Sequence, residues 1–373
     1  LSHPQDQQAV DWLTHLLRHS LDLQASDIHL EPYDNLLRIR MRIDGLLHEM
    51  GAPPAALRER IISRIKVLAR LDIAEKRQPQ DGRMQVALPT RQVDLRVSTL
   101  PTLHGEKVVL RILDFHGQTW NMSSLGMSDS SQQRLIHAIT RPHGMVLITG
   151  PTGSGKTRTL YTCLAQLNKP EVNIATVEDP AEIVLPGINQ VNVNERAGLS
   201  FATALRALLR QDPDILMVGE IRDNETADIA IKASQTGHLV LSTLHTNDAP
   251  STLTRLNHMG IAGFNLASSV VMICAQRLVR RLCPDCKQFL PAQQRYKAVG
   301  CNHCLQGYRG RIGIHQVMPI SDAMQSLILA QASSMDIAAL AAQEGVLSLH
   351  EDGLLKVAAG DTSLEELQGA AHA

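Results

Sequence analysis

The feature that most constrains this chain is an eight-residue sequence, G-P-T-G-S-G-K-T, running from Gly150 to Thr157. A short apolar run typical of a buried parallel strand, Met145–Thr149, precedes it, and leucines at helical spacing follow it. This is the G-x-x-x-x-G-K-[ST] motif in the strand–loop–helix setting that it requires. Its glycines let backbone N–H groups converge on phosphate oxygens, and the helix N-terminus adds a favourable dipole. The motif therefore predicts an α/β ATPase domain with a P-loop.

Two side chains of this loop have specific predicted tasks. Lys156 would reach the β- and γ-phosphates of ATP, and Thr157 would offer its hydroxyl to Mg²⁺. The alternative is a glycine-rich turn that binds nothing, and the correct flanks on both sides favour the nucleotide. The remaining predicted nucleotide-binding residues are Gly150, Pro151, Thr152, Gly153, Ser154 and Gly155.

Acidic residues follow two further apolar runs that are typical of buried strands. Ile174–Val177 leads into Glu178, and Ile215–Val218 leads into Gly219 and Glu220. Ligands of open parallel sheets lie beyond the carboxyl ends of the strands, so these acids should share an edge with the phosphate loop. Hydrolysis needs a group that orients the attacking water. We predict Glu220 for that role and Glu178 as second, sharing the water or organising the Mg²⁺ shell; the alternative for each is a solvated loop acid.

Two histidines flank the next apolar strand, Leu239–Leu241. His238 precedes it and His245 follows shortly after it. A lone histidine is usually structural, but two near a nucleotide edge would sense the γ-phosphate or a neighbouring subunit. Both interpretations remain open from the residues alone.

Four of the six cysteines form two C-x-x-C pairs. They are Cys283 and Cys286, then Cys301 and Cys304, with the spacing C-x₂-C-x₁₄-C-x₂-C. Two such pairs close a tetrahedral thiolate site suited to structural Zn²⁺. The intervening segment is just shorter than the usual range for this arrangement. Four reduced thiols without metal are the alternative, and His303 is a possible replacement ligand.

The first third of the chain reads as a separate α+β unit. A helix is predicted over residues 6–24, strands over 27–31, 36–43 and 45–49, a helix over 55–70, and strands near 83–88, 92–98 and 107–113. The alternation in L-R-I-R-M-R-I places Arg38, Arg40 and Arg42 on one strand face, either as solvated surface or as a contact for an anion. A linker is predicted near residues 118–126.

Composition excludes several classes of protein. With 373 residues the chain has room for two or three domains. Its formal net charge of −1 gives no basic footprint, so we expect no nucleic-acid partner. No apolar run approaches the roughly 18–20 residues needed to span a bilayer, so we expect membrane contact only through partners.

The motifs together resemble one family, the secretion and type IV pilus assembly ATPases of the type II secretion class. The resemblance covers nearly the whole chain. V-E-D-P-A-E (177–182) is similar to the family's Asp box, L-R-Q-D-P-D-I-L-M-V-G-E-I-R-D (209–223) to its Walker B segment, and T-G-H-L-V-L-S-T-L-H-T-N-D-A (236–249) to its His box. Matching segments of the first unit are S-D-I-H-L-E-P (26–32), R-I-D-G (42–45), D-G-R (81–83), L-R-V-S-T-L-P (95–101) and G-E-K-V-V-L-R (105–111).

This resemblance implies a ring of six subunits. Each would have an N-terminal α+β PAS-like domain (residues 1–117), the linker at 118–126, and a RecA-like ATPase domain (127–373). The last would include a tetracysteine subdomain at 281–312 and a helical C-terminal part at 313–373. In the family, N-terminal arginines approach the nucleotide; by motif match these are Arg96 and Arg111, with Arg83 less well matched.

The resemblance also implies a partner and a place of action. The motor would be cytoplasmic, peripherally associated with the inner membrane, and would drive a membrane platform protein that assembles pilin-like subunits. Assembly and secretion members commonly carry the tetracysteine after A-Q-R-L-V-R (275–280), whereas retraction members generally lack it, which favours assembly. The 373 residues start at Leu1 rather than Met and do not include the family's far N-terminal domain. The alternatives are a nucleic-acid motor on the same core and a nucleotide-dependent scaffold that does not hydrolyse ATP.

Overall fold

The computed structural model describes residues 4–87, 92–114 and 120–372. The chain divides into two compact units, Leu1–Gln118 and Thr119–Ala373. Residues 118 and 119 of the predicted linker lie outside the described residues. Over the described ranges, every helix is too short or too polar to cross a lipid bilayer.

The first unit is a six-stranded antiparallel sheet with two helices. Its elements are α1 (Pro4–Asp22), β1 (Asp27–Pro32), β2 (Leu37–Ile43), β3 (Leu46–Met50), a 3₁₀ turn (Ala55–Leu57), α2 (Arg58–Leu68), β4 (Gln80–Ala87), β5 (Gln92–Thr102) and β6 (Gly105–Leu113). The strand order is β3-β2-β1-β6-β5-β4, and all pairs are antiparallel. Alternate residues of the strands, such as Ile28, Leu30 and Ile39, are fully buried. The opposite face of the sheet carries charged side chains.

The arginines of β2 are held by an acid on the neighbouring strand. Glu31 accepts hydrogen bonds from Arg38 at 3.1 Å and Arg40 at 2.8 Å, and Lys107 lies 2.9 Å from the same carboxylate. Burial raises the pKa of Glu31, but these three cations outweigh it and lower that pKa to about 2. The alternation correctly predicted the charged face, and the structure adds an internal ion-pair cluster that the pattern did not indicate.

The second unit is a seven-stranded sheet between layers of helices. Its strand order is β15-β12-β7-β11-β10-β8-β9, with every neighbouring pair parallel except β12 and β15. The strands of this sheet are β7 (Gly144–Thr149), β8 (Ile174–Glu178), β9 (Asn189–Asn192), β10 (Ile215–Val218), β11 (Leu239–Leu244), β12 (Val270–Leu282) and β15 (Tyr308–Pro319). The predicted parallel sheet is therefore present, and the antiparallel β15 extends it at one edge.

Helices cover both faces of this sheet because its central strands are apolar on both sides. Helices α3 (Asp129–Ile139) and α4 (Lys156–Leu167) share one core with alternate residues of the strands. The other core includes α5 (Phe201–Leu208), α6 (Asn224–Gln235), α7 (Ala249–His258), α8 (Gly263–Ser269), α9 (Asp322–Leu329) and α10 (Ser334–Gln343). Just before α3, Met122 and Leu125 are buried and the Trp120 ring packs edge-on against Tyr161.

A small lobe connects β12 to β15. It holds the four paired cysteines and a short hairpin, β13 (Gln288–Leu290) and β14 (Arg295–Lys297). Helices α11 (Leu349–Ala358) and α12 (Leu364–His372) pack against β15 and β12, the two strands that the lobe joins. Tyr308, at the start of β15, is hydrogen-bonded to Ser363 at 2.8 Å. The predicted fold class, an α/β ATPase-like domain after a smaller α+β domain, with a tetracysteine insertion and a helical C-terminus, is confirmed.

Candidate nucleotide site

The phosphate loop joins the end of β7 to the start of α4, as predicted. Gly150 and Gly155 have φ of +147° and +88°, backbone conformations that favour glycine. A Cβ on Gly150 would lie 2.4 Å from the carbonyl oxygen of Gln276, so that position also lacks room for a side chain. Neighbouring strand β12 therefore forms one wall of the loop.

Lys156 stands at the first position of α4 and reaches back over the loop. Its Nζ donates to the carbonyl oxygens of Gly150 at 2.7 Å and Pro151 at 3.0 Å. Burial lowers the pKa of Lys156 to about 8, although the Glu220 carboxylate acts in the opposite direction. An ammonium that is stripped of water in this way gains more from a phosphate anion than an exposed one does.

Glu220 lies two residues beyond the end of β10 and faces this edge. One of its oxygens accepts a hydrogen bond from Arg222, and the other lies 3.3 Å from Nε2 of His245. Burial raises the pKa of Glu220, but Arg222 and then His245 outweigh it, so the net shift is downward. The carboxylate is thus kept ionised with 21% of its side chain exposed, which suits a group that must contact water.

Glu178 ends β8, but its carboxylate points into the protein. It accepts hydrogen bonds from the Tyr161 hydroxyl, from Thr176 Oγ1 at 2.6 Å and from Gln190 Nε2 at 3.0 Å. Burial, followed by the nearby Glu178 charge, raises the pKa of Tyr161, so the phenol stays protonated as a donor. Glu178 is only 5% exposed, and three donors of its own domain occupy its oxygens.

The two histidines of the sequence prediction lie at opposite ends of β11 in the structure. His245 contacts Glu220 at the nucleotide edge. His238, in contrast, lies just before β11, where its carbonyl accepts from Gly144 N and its Nδ1 lies 3.0 Å from the carbonyl of Ala233. Gly144 begins β7 and the phosphate loop follows the other end of that strand, so His238 lies at the opposite edge of the sheet. The prediction that His238 lies near the nucleotide within its own subunit is wrong.

Sequence reasoning missed one residue of this site, Gln276 of β12. Its Nε2 donates to the carbonyl oxygen of Ser154 at 2.7 Å, and its Oε1 accepts from Thr159 Oγ1 at 2.7 Å. Gln276 lies more than 100 residues after both partners in the sequence, so no local pattern joins it to them. The available signals are a polar residue after an apolar run, as in I-C-A-Q of β12, and the place of Gln276 in the A-Q-R-L-V-R segment (275–280).

The candidate arginines of the first unit form a row across its sheet. Arg83 is paired with Arg96 in the strand register, and Arg96 with Arg111. Arg111 Nε donates to Asp27 at 2.9 Å and its side chain remains 61% exposed. Register thus gathers on one face three cationic residues that lie on three different strands.

The four cysteine sulfurs converge in the lobe after β12. Sγ–Sγ distances are 3.9 Å for Cys283–Cys301, 3.7 Å for Cys286–Cys304 and 3.6 Å for Cys301–Cys304. A tetrahedron with Zn–S bonds of about 2.3 Å has edges of about 3.8 Å. Backbone N–H groups of Gly300 and Cys301 also lie 3.3 and 3.2 Å from sulfurs of this cluster. The cluster can therefore hold a metal ion without His303, whose side chain is 73% exposed.

Comparisons with known proteins agree with this architecture. A family described as "Type II/IV secretion system protein" matches residues 3–369. The type IV pilus assembly ATPase PilB of Pseudomonas aeruginosa is 50% identical over 380 residues, which cover 97% of this chain and 67% of the relative. The type II secretion system ATPase E of Vibrio cholerae is 48% identical over 383 residues, covering 98% and 76%. This chain thus spans about two thirds to three quarters of these relatives.

Solved structures show the same fold. The X-ray structure of the Legionella pneumophila ATPase DotB superposes with a TM-score of 0.73, covering 96% of this chain and 94% of that one, at 20% identity. At that identity the likeness concerns the fold alone. The match to the family over nearly all residues, together with the relatives' identity, confirms the resemblance found in the motifs: the chain belongs to the family of Type II/IV secretion system proteins.

Proposed function

We propose that this chain hydrolyses ATP and powers type IV pilus assembly or type II secretion. One observation carries the proposal of hydrolysis: the Lys156 ammonium lies over the phosphate loop, and the Glu220 carboxylate beyond β10 is near enough to raise the pKa of that ammonium. A cation for the phosphates and an ionised acid for the water are the two groups that this reaction needs. The role in pili or secretion follows from the relatives, which are named as ATPases of those two systems.

The side chains of the edge then have distinct roles. Lys156 binds the β- and γ-phosphates, Thr157 contributes its hydroxyl to Mg²⁺, and Glu220 orients the attacking water. Arg222 and His245 hold Glu220 ionised and oriented through the contacts described above. For Glu178 we propose a supporting role, because its oxygens already accept three hydrogen bonds inside the domain.

The ring and its partner complete the proposal. We expect six subunits, with Arg96 and Arg111 of the first unit engaging nucleotide phosphate, since guanidinium groups bind phosphate in a bidentate manner. We expect the ring to work in the cytoplasm, peripherally associated with the inner membrane through a platform protein. The tetracysteine favours assembly over retraction.

For the metal we propose Zn²⁺ held by Cys283, Cys286, Cys301 and Cys304. Four thiolates leave no open position, so the ion would stabilise the lobe and take no part in hydrolysis. Elemental analysis of purified protein should find about one zinc per chain. Protein purified without chelators that contains no zinc would contradict this assignment.

The experiment that tests the function is steady-state ATP hydrolysis measured together with particle mass, with and without nucleotide. We expect Mg²⁺-dependent turnover by particles of six subunits. Lys156→Ala is the control, since loss of the phosphate-binding ammonium should abolish that turnover. Wild-type protein that binds ATP without turnover, even with membrane fractions added, would support the scaffold alternative, and stimulation by DNA would support a nucleic-acid motor.

A further inference from the structure

Gln276 connects three parts of the second unit through one side chain. It lies on β12, is 2% exposed, and bonds both to Ser154 in the phosphate loop and to Thr159 in the following helix. Its backbone carbonyl oxygen also leaves no room for a side chain at Gly150, at the start of the loop. Thr159 is 1% and Ser154 3% exposed, so Gln276 and both of its hydrogen-bond partners are shielded from water.

We propose that Gln276 is a positioning residue that fixes the phosphate loop in its nucleotide-binding conformation. The peptide bond is planar and trans, so the C=O of Ser154 and the N–H of Gly155 point in opposite directions. By drawing the Ser154 carbonyl towards β12, the amide of Gln276 turns the Gly155 N–H away from that strand. N–H groups of such loops bind phosphate oxygens, so the interaction prepares one donor before nucleotide arrives.

The carboxamide group suits this position because it is a donor at one end and an acceptor at the other. Glutamate has nearly the same shape, but both of its carboxylate oxygens are acceptors. One of them would face the Ser154 carbonyl oxygen, where a donor is needed. Methionine matches the volume and would leave both the Ser154 carbonyl and the Thr159 hydroxyl without this partner. A buried group that loses its partner in this way is costly.

A matched control is available on the adjacent strand. Gln316 of β15 is also buried, at 7% exposure, and its Oε1 accepts from Ala249 N at 2.9 Å. Its hydrogen bond goes to the start of α7 rather than to the phosphate loop. Gln316→Met therefore reports the general cost of removing a buried amide from this sheet.

The test measures the dissociation constant of a fluorescent ATP analogue for the full chain, together with KM, kcat and the unfolding midpoint. We expect Gln276→Glu to raise the dissociation constant and KM about ten- to a hundredfold, with kcat at saturating ATP changed less than about threefold. Thr159→Val should raise the dissociation constant less than Gln276→Glu does, and Thr159→Ser, which keeps the hydroxyl, less again. Gln316→Met should lower the midpoint without raising the dissociation constant.

A folded Gln276→Glu protein that binds the analogue within about twofold of wild type would overturn the proposal, as would a loss in kcat alone. If Gln276→Glu does not fold, the difference between Thr159→Val and Thr159→Ser decides in the same way. The inference rests on the proposed function in treating the loop as a nucleotide site. Because it is tested by binding, an absence of ATP turnover in the wild type would defeat that function and leave this result interpretable.

Discussion

Glu178 is the last residue of β8 and Glu220 lies just beyond the neighbouring strand β10, yet their carboxylates have different surroundings. The carboxylate of Glu178 accepts from Tyr161, Thr176 and Gln190. That of Glu220 is partly exposed and is bonded to two cationic or titratable side chains, Arg222 and His245. The Glu220 carboxylate also raises the pKa of Lys156.

The difference shows that two acids at the same end of one sheet can have different roles, one structural and one chemical. Three uncharged donors satisfy a buried carboxylate and fix it in place. Ion pairs at a partly exposed site instead keep a carboxylate charged and leave room for water. Position at a strand end alone would predict the same role for both acids. Their hydrogen-bond and ion-pair partners distinguish the two.

The largest expected effect is that of Glu220→Gln on turnover. Loss of the water-orienting carboxylate should reduce kcat about 10²- to 10⁴-fold, while ATP binding at neutral pH stays within a few-fold of wild type. Glu225→Gln is a matched control, since Glu225 is an exposed acid paired with Arg206 on the surface. Turnover and nucleotide binding are measured on the same preparations. A Glu220→Gln protein that keeps more than a tenth of wild-type turnover would exclude this role.

The pH dependence of ATP binding should distinguish the two acids next. Lys156 has a pKa of about 8 in the free protein, and a bound polyphosphate favours its protonated form. Affinity should therefore fall as pH rises through about 8, by up to roughly tenfold per unit. Glu220 raises this pKa, so in Glu220→Gln the fall should start at lower pH, whereas Glu178→Gln should follow the wild type. Dissociation constants measured across this range check the prediction, and identical profiles for all three proteins would contradict it.

Local patterns predicted most of this site because its parts are local. The strand–loop–helix setting of Gly150–Thr157, the apolar strand before Glu220 and the paired cysteines each lie within short segments. The structure gives the strand boundaries and, for the cysteines, the convergence of all four sulfurs. These features depend on backbone geometry and spacing, which sequence expresses directly.

What the sequence could not predict depends on contacts between distant segments. Gln276 contacts Ser154 because β12 lies beside β7 in the sheet, and the spacing of residues in the sequence does not reveal that pairing of strands. The inward turn of Glu178 requires Tyr161 and Gln190, which come from other elements. His238 was misplaced because it precedes its strand, and only residues after a strand reach the nucleotide edge.

Glu178→Gln should act mainly on stability. The substituted amide would place a donor among three existing donors, at a cost of about 1–3 kcal/mol in the free energy of unfolding. Turnover should fall less than tenfold. Tyr161→Phe, which removes one of the donors, should lower the unfolding midpoint in the same direction. Turnover as low as that of Glu220→Gln, at an unchanged midpoint, would instead place Glu178 among the groups that handle the water.

The smallest expected effect is a shift in the acid limb of the pH–rate profile when Arg222 is replaced. Turnover needs an ionised Glu220, so kcat/KM falls as pH drops through the pKa of that group. Arg222 is the strongest of the contacts that lower this pKa, so Arg222→Gln should raise it and move the limb to higher pH, by less than about one unit because the site is partly exposed. The profile of kcat/KM against pH measures the shift, and Arg206→Gln, which removes an exposed arginine paired with Glu225, serves as the control. An acid limb that stays in place would mean that Arg222 does not set the charge of Glu220, and the contrast with Glu178 would then rest on exposure alone.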